Sequence, residues 1–456
     1  VDAAYRVMTP EHIKGLMKMD PASRLTVETK QRLYNADGKP VLIPDGSSSV
    51  EQRRAYNLAQ SLMNDLLFHR ASEADLSPVN EERANLRFLI DGVVVEQPEW
   101  ELPESELVIQ YLKQIGGMDV NDTRRPQKGQ VSADLAGQAV DMAITTTGTC
   151  SGQRIQFRIV QESIQMRLGE LGIDKEMLGR LSDMNLSGPG IILVAARGRN
   201  GQSSTLYSLL NKHDAFTQQV VTFEGKAASE LPNVTQNIYD QPGEMLPLLI
   251  RVMRQEPDVL MIDDCPDAPT AAKILEIAEE KPVVMGIHAA DCLTALAKWV
   301  QTVGDPAAAM KPLKAVISQV LIRKLCPDCR EGYTPDPTIL SKLNLTSENI
   351  RKLYRPPSGP RVDDKGKPIV DKEGNPIPCP TCRGTGYFGR TGVFELLEMT
   401  DEIAQTVCQG GSLARIKAVC RKNNMQYLQE NALAKVIRGI TSVPEVVRVT
   451  QAKKKA

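Results

Sequence analysis

The sequence predicts an α/β fold, a parallel sheet clothed by helices, on three observations. Residues 191–210 read IILVAARGRNGQSSTLYSLL: an apolar β-branched run, a Gly- and Arg-containing loop, then Ser-Ser-Thr opening an apolar-periodic segment. That is the strand, loop and helix of a phosphate-binding P-loop. Further apolar runs follow at 219–224, 258–264 and 282–288, with helical stretches at 271–280 and 292–303 between and after them. Buried strands alternating with helices imply parallel pairing. Finally, the run at 258–264 ends in Asp263-Asp264, the carboxylate-tipped strand that partners a P-loop in holding Mg²⁺.

The P-loop itself departs from its pattern. G-x-x-x-x-G-K-[ST] would place its first Gly at Ala196, its second at Gly201, its Lys at Gln202 and its hydroxyl at Ser203. Backbone N–H groups at a helix N-terminus attract phosphate whatever the side chains, so Gly198, Gly201, Ser203 and Ser204 retain the makings of an anion nest. The cation that stabilises charge on the transferred phosphoryl is missing. Binding and hydrolysis are therefore separate expectations.

In chain order, residues 1–50 are polar and turn-rich and read as a lead-in hairpin and linker. Residues 51–165 read as a small α+β domain. Its first helix carries Tyr56, Leu58, Leu62, Leu66 and Leu67 at helical spacing, strands follow at 71–78 and 85–95 with Asp91-Gly92 as a turn, then a helix near 104–117 and strands at 130–134 and 153–160. Residues 166–187 read as a charged helical connector, and 188–325 as the P-loop core. The stretch 326–390 is rich in Pro, Gly and Lys and bounded by Cys326-Pro-Asp-Cys329 and Cys379-Pro-Thr-Cys382. Two such knuckles make a closed tetrahedral Zn²⁺ site with a structural role, in a segment with little apolar content to bury. Residues 391–456 read as C-terminal helices ending in a solvated Lys-rich tail.

Composition excludes several classes. A net charge of -1 and a pI near 6.6 give no global signal for nucleic acid, and no polymer of that kind is expected as a substrate. Uninterrupted apolar runs are only a few residues long, short of the roughly 20 that a bilayer crossing needs. Val1 opens a polar stretch with no secretion signal, and a first residue other than Met suggests a processed chain or one lacking an upstream portion. The compartment is expected to be reducing and cytosolic, which favours metal over disulfides for the paired C-x-x-C units.

These motifs together resemble the GspE/PilB-like motor ATPases of type II secretion and type IV pilus assembly, over about residues 51–450. The family's lead into the P-loop stands as Pro189-Gly-Ile-Ile-Leu-Val194, its T-L-Y as Thr205-Leu-Tyr207, and its R-Q-[DE]-P-D as Arg254-Gln-Glu-Pro-Asp258. The C-P-x-C knuckles follow Leu321-Ile-Arg-Lys-Leu325, and the second leads into Gly389-Arg-Thr-Gly-Val-Phe-Glu-Leu396. Gly439-Ile-Thr-Ser-Val-Pro-Glu-Val446 matches the family's C-terminal helices. The resemblance implies a RecA-like P-loop core, a PAS-like N-terminal domain, and roles for Glu224 and Asp264 in water activation and metal support, with Asp263 beside them. It implies γ-phosphate sensing for His288, and makes Arg158 a retained nucleotide-binding arginine.

The departures fall on chemistry. The family's G-P-T-G-S-G-K-[ST] is Ala196-Arg-Gly-Arg-Asn-Gly-Gln-Ser203; its T-x-E-D-P is Thr222-Phe-Glu-Gly-Lys226; its G-E-x-R-D is Asp263-Asp-Cys-Pro-Asp267. The box S-T-L-H-T-N-D is Met285-Gly-Ile-His-Ala-Ala-Asp291, and three family arginines are Gln130, Ala143 and Val320. The expectation is a weak or inactive ATPase that binds ATP and Mg²⁺ feebly. It would act as a hexameric ring, alone or mixed with an active paralogue, on an inner-membrane platform protein from the cytoplasmic face. An active motor using Arg197, Arg199 or Lys226 as a relocated cation is the alternative, and a nucleotide-free scaffold the second.

Overall fold

The structure, a computed structural model, describes residues 32–451 apart from 46, 136–137, 161–166, 338–339, 341–349, 364–365 and 372–373. Most of the lead-in and the Lys-rich tail lie outside the described residues. By their contacts the described residues form two compact units: those within 32–160, 326–329 and 357–388, and those within 167–325, 330–356 and 389–451.

The first unit is a twisted antiparallel sheet with two helices. Its strands are β1 (Leu33–Tyr34), β2 (Ala71–Pro78), β3 (Arg83–Ile90), β4 (Val93–Glu96), β5 (Trp100–Glu101), β6 (Gln127–Leu135), β7 (Gln138–Thr149) and β8 (Gly152–Ile159), ordered β1-β6-β7-β8-β2-β3-β4 with β5 beside β3. Alternation puts Ala84, Leu86, Phe88 and Ile90 of β3 inward. Helix α1 (Val50–Phe68) starts where Ser49 and Gln52 cap each other's backbone N–H, and buries Tyr56, Ala59, Leu62, Met63, Leu66 and Leu67. Helix α2 (Leu102–Ile115) adds Val108, Ile109 and Leu112 to the same core. The Asp91-Gly92 turn stands where expected, with both residues at positive φ.

The second unit holds a seven-stranded sheet that is parallel through six of its strands, with the seventh added at one edge. Strands β9 (Gly190–Ala196), β10 (Val220–Glu224), β11 (Thr235–Ile238), β12 (Val259–Ile262), β13 (Pro282–His288), β14 (Leu313–Leu325) and β17 (Tyr387–Glu398) run in the order β11-β10-β12-β13-β9-β14-β17. Every residue of β9, β10 and β12 is buried, the pattern of strands covered on both faces. Helix α3 (Lys175–Leu186) buries Met177 and Leu181 against one face, so the stretch expected as a connector is part of this core, capped by Asp174. The P-loop helix α4 (Gln202–Leu210) lies on that face too. Helices α5 (Met245–Met253), α6 (Ala268–Ala278) and α7 (Cys292–Val303) cover the other, the last two capped by Asp267 and Asp291. After α8 (Pro306–Met310), β15 (Glu331–Tyr333) and β16 (Leu353–Arg355) pair in a small antiparallel sheet. The C-terminal part is α9 (Asp401–Cys408), α10 (Leu413–Lys422), α11 (Leu428–Ile437) and α12 (Val443–Gln451).

Two differences from expectation bear on the site. The segment 326–390 does not form one module: its cysteine knuckles belong to the first unit, whereas 330–356 belong to the second. The C-terminal region opens with a sheet strand, β17, whose Glu395 accepts hydrogen bonds from the first N–H of both α7 and α11 (Cys292, 2.6 Å; Leu428, 3.0 Å). One buried carboxylate thereby ties two helix starts together, where the helix dipoles favour it.

Candidate nucleotide site and metal centre

The carboxyl ends of β9, β10, β12 and β13 gather the predicted residues. β9 pairs with β13, β13 with β12, and β12 with β10, so Glu224, Asp263, Asp264, His288 and the P-loop share one edge of the sheet. The loop turns on two residues in left-handed backbone, Arg199 (φ 64) and Gly201 (φ 80), the second being the N-cap of α4. Gly198 stands exposed, while Ser203 and Ser204 lie half-buried in the first turn of the helix.

The side chain of Gln202 is bound to the sheet. Its side-chain amide turns back towards the sheet and donates to the backbone oxygens of Val194 (2.7 Å) and Ile287 (3.2 Å). Gly286 permits this: a Cβ there would stand 3.0 Å from Gln202 Nε2 and inside the contact distance of the Asp263 carbonyl oxygen. The resemblance expects Thr at position 286 and Lys at 202, so the two departures occupy adjoining space. The loop is further laced to β14 by neutral groups. Asn200 Oδ1 accepts from Leu321 N (3.0 Å), Asn200 O from Gln319 Nε2 (2.8 Å), and Gln319 Oε1 from Thr205 Oγ1 (2.5 Å). Asn200 and Gln319 were not expected from the sequence, because their pairing spans more than a hundred residues.

The carboxylates are equally engaged. Glu224 is 3% exposed and accepts from Tyr207 Oη (2.5 Å), Thr222 Oγ1 (2.7 Å) and Gln236 Nε2 (3.2 Å). Burial first, then the bond to Glu224, drives the Tyr207 hydroxyl far above its ordinary range, so it remains a donor. Asp263 accepts from Gly225 N (2.7 Å) and Tyr239 Oη (2.5 Å), leaving neither oxygen without a donor. Asp264 accepts from the neighbouring Cys265 N (3.0 Å); the protein crowded about it raises its carboxyl, with the charges of Lys298 and His288 acting the other way. His288 is exposed at the end of β13, opposite Ala196.

Beside the P-loop the same unit has an open cleft with a cavity volume of about 50 Å³, with Arg197, Asn200 and Gln319 on its polar side and Val320, Leu428 and Val449 among its apolar walls. Val320 is one of the positions where the resemblance expects arginine. The other two align in the first unit: Gln130 pairs with Ala143, and Ala143 with Arg158, across β6, β7 and β8. Arg158 lies there on β8, and its guanidinium pairs with Glu73 on β2 (3.3 Å).

The four cysteines converge in the first unit. All four Sγ atoms lie within 4.8 Å of one another, with Cys326 to Cys379 at 3.8 Å and Cys329 to Cys382 at 3.5 Å. A tetrahedral site with Zn–S near 2.3 Å requires sulfurs about 3.8 Å apart, so the set fits Zn²⁺ with no open position. Hydrogen bonds from Cys326 and Cys382 hold the Cys379 thiol well down, while the bond with Cys379 pushes Cys326 up. The knuckles are shaped by Arg383 N to Cys379 O (2.8 Å), Cys326 N to Gly386 O (3.0 Å) and Gly386 N to Cys382 Sγ (3.3 Å), the last a hydrogen bond to a sulfur of the tetrad.

Comparison with known proteins agrees with this architecture. Residues 49–448 match the family model described as Type II/IV secretion system protein. The chain is 27% identical over 409 residues to the type IV pilus assembly ATPase PilB of Thermus thermophilus, covering 88% of this chain and 43% of that one, so it spans less than half of that relative. It is 27% identical over 400 residues to the type II secretion system ATPase E of Vibrio cholerae, covering 86% and 75%. Among solved structures, the ATPase DotB of Legionella pneumophila superposes with a TM-score of 0.55 at 14% identity, covering 90% of this chain and 99% of that one, a likeness of fold. On a match that spans most of its length, together with the P-loop sheet and the cysteine tetrad, this chain belongs to the Type II/IV secretion system protein family.

Proposed function

We propose that the chain is a degenerate motor homologue: a ring-forming component of a type II secretion or type IV pilus machine that keeps the P-loop fold and hydrolyses ATP weakly or not at all. The observation that carries this is Gln202. A neutral amide stands where the β/γ-phosphates need a cation, and its donors are already spent on Val194 and Ile287. Removing one such stabilising donor typically lowers a rate by about 10² to 10³. Here the acidic residues compound the loss, since Glu224 is buried under three donors and both oxygens of Asp263 have partners.

Binding stands apart from turnover. The α4 N-terminus and the cleft beside it support retention of ATP at roughly micromolar to millimolar Kd, with Asp263 and Ser203 at the place of Mg²⁺. The set Gln130, Ala143 and Val320 argues against arginines acting across a subunit boundary, which favours a ring mixed with an active paralogue over a self-sufficient hexamer. Its partner would be the machine's inner-membrane platform protein, met from the cytoplasmic side; no helix among the described residues is long and apolar enough to cross a membrane. Arg197, at the rim of the cleft, is the feature that favours the alternative of an active motor.

Steady-state phosphate release by the natural chain and by Gln202→Lys, with and without a candidate active paralogue, tests the proposal. The natural chain alone should not exceed background. Robust turnover that Glu224→Gln abolishes would refute it.

A further inference from the structure

The cysteine tetrad has a second set of contacts, and they lead to the first helix. Phe388, six residues beyond Cys382, packs against the buried cysteine cluster, and the Arg70 guanidinium carbon lies 4.2 Å from its ring centroid. The reverse pairing stands beside it. Arg383, the residue after Cys382, lies over the ring of Phe68 at 4.2 Å. Phe68 is the last residue of α1, and Arg70 follows it by two. Each partner thus gives one arginine and one phenylalanine.

Both arginines hold left-handed backbone (Arg70 φ 56, Arg383 φ 55), a conformation that residues other than glycine seldom adopt and that needs surrounding structure to maintain it. Arg70 has a further anchor in Asp91 at 3.5 Å, on the β3–β4 turn. The segment 357–388 offers little apolar surface of its own, with Val362 and Val370 about half exposed, yet its contacts assign it to the first unit. The crossed stacks are a connection that explains the assignment.

We propose that the tetracysteine centre is a metal-dependent latch on the N-terminal α+β unit. Metal binding fixes the second knuckle, and with it Arg383 and Phe388, in the positions that grip Phe68 and Arg70 at the end of α1. The proposal rests on the cysteines holding a metal and is independent of whether the chain hydrolyses ATP. Loss of metal would release the 379–388 segment from α1 and loosen the last turn of that helix while its earlier turns hold.

The test is hydrogen exchange on the full chain, with zinc content measured in parallel. Stripping zinc with a chelator should speed exchange both at 379–388 and at 64–71, where His69 N and Arg70 N bond to Asp65 O and Leu67 O, while α2 keeps its protection. The double variant Arg70→Ala/Arg383→Ala should retain one zinc per chain and yet lose protection at 64–71 on the order of tenfold, the effect of two exposed cation–π contacts. Arg54→Ala, which removes a surface pair with Glu104, is the control and should leave 64–71 unchanged. The proposal is overturned if chelation loosens 379–388 alone, if the double variant exchanges like the natural chain, or if the purified chain contains no metal. Should the double variant fail to fold, the chelation experiment on the natural chain still decides.

Discussion

Replacing Gln202 with alanine removes the two hydrogen bonds that pin the start of α4 to β9 and β13. Each neutral bond is worth about 1 kcal/mol net. Two bonds from a half-buried amide therefore amount to about 2 kcal/mol, and the shared oxygens of Val194 and Ile287 lose a donor at the same time. For a unit of this size that corresponds to a fall of about 4 to 8 °C in Tm. Trp299 is fully buried in the second unit and reports its unfolding by fluorescence, once Trp100→Phe has removed the other tryptophan. A urea series gives the free energy and calorimetry the Tm. If Gln202→Ala matches its parent within about 0.5 kcal/mol, the amide is not a structural strut and the reading of the loop fails.

The other expectations follow from the same contacts. Gly286→Ala places a methyl against the Asp263 carbonyl and the Gln202 amide and should cost about 1 to 3 kcal/mol by overpacking, read from the same urea series. Glu445 is buried on α12 and receives Arg323 and Arg448; although burial alone would raise it, these arginines hold its carboxyl at about 2, against 4.5 ordinarily. Because the folded value is depressed, the stabilisation, about 3 kcal/mol, is complete above pH 4.5 and disappears as pH falls towards 2. An acid titration should show this loss in the natural chain and not in Glu445→Gln. Chelation of a zinc-loaded chain should lower the Tm of the first unit more than that of the second, and equal shifts in both would count against a centre that belongs to the first.

Sequence patterning reached the parts of the fold governed by local or uniform burial. β9, β10, β12 and β13 are continuous apolar runs, and the β3–β4 turn is an Asp-Gly pair, so each is visible without tertiary information. β7 escaped because Thr145-Thr-Thr-Gly-Thr149 reads as polar loop, although pairing on both sides makes it a strand. β14 and β17 escaped for another reason: β14 ends in Arg323-Lys-Leu325 and has a register shift between Leu313 and Ala315, while β17 has the polar stretch Gly389-Arg-Thr-Gly392 near its start. The α3 segment looked like a connector because only Met177 and Leu181 mark its buried face.

At the site, residue identity was legible and state was not. The resemblance sets Gln202 at the family's lysine position, but only the fold shows where its amide goes, because Ile287 lies 85 positions away. The same holds for Glu224, whose Tyr207 and Gln236 partners come from different elements. The cysteines were the reverse case: spacing alone pointed to the four residues, and the fold brings their sulfurs to separations of 3.5 and 3.8 Å that suit a tetrahedral ion.

The state of the Gln202 amide beside a bound nucleotide can be read from an experimental structure of the chain soaked with ATP and Mg²⁺. The Gln202 amide should stay on the Val194 and Ile287 oxygens, with no basic side chain at the β/γ bridge of any nucleotide seated in the loop. Ordered ATP gripped there by Arg197, Arg199 or Lys226, with a water aligned on the γ-phosphate, would contradict this expectation.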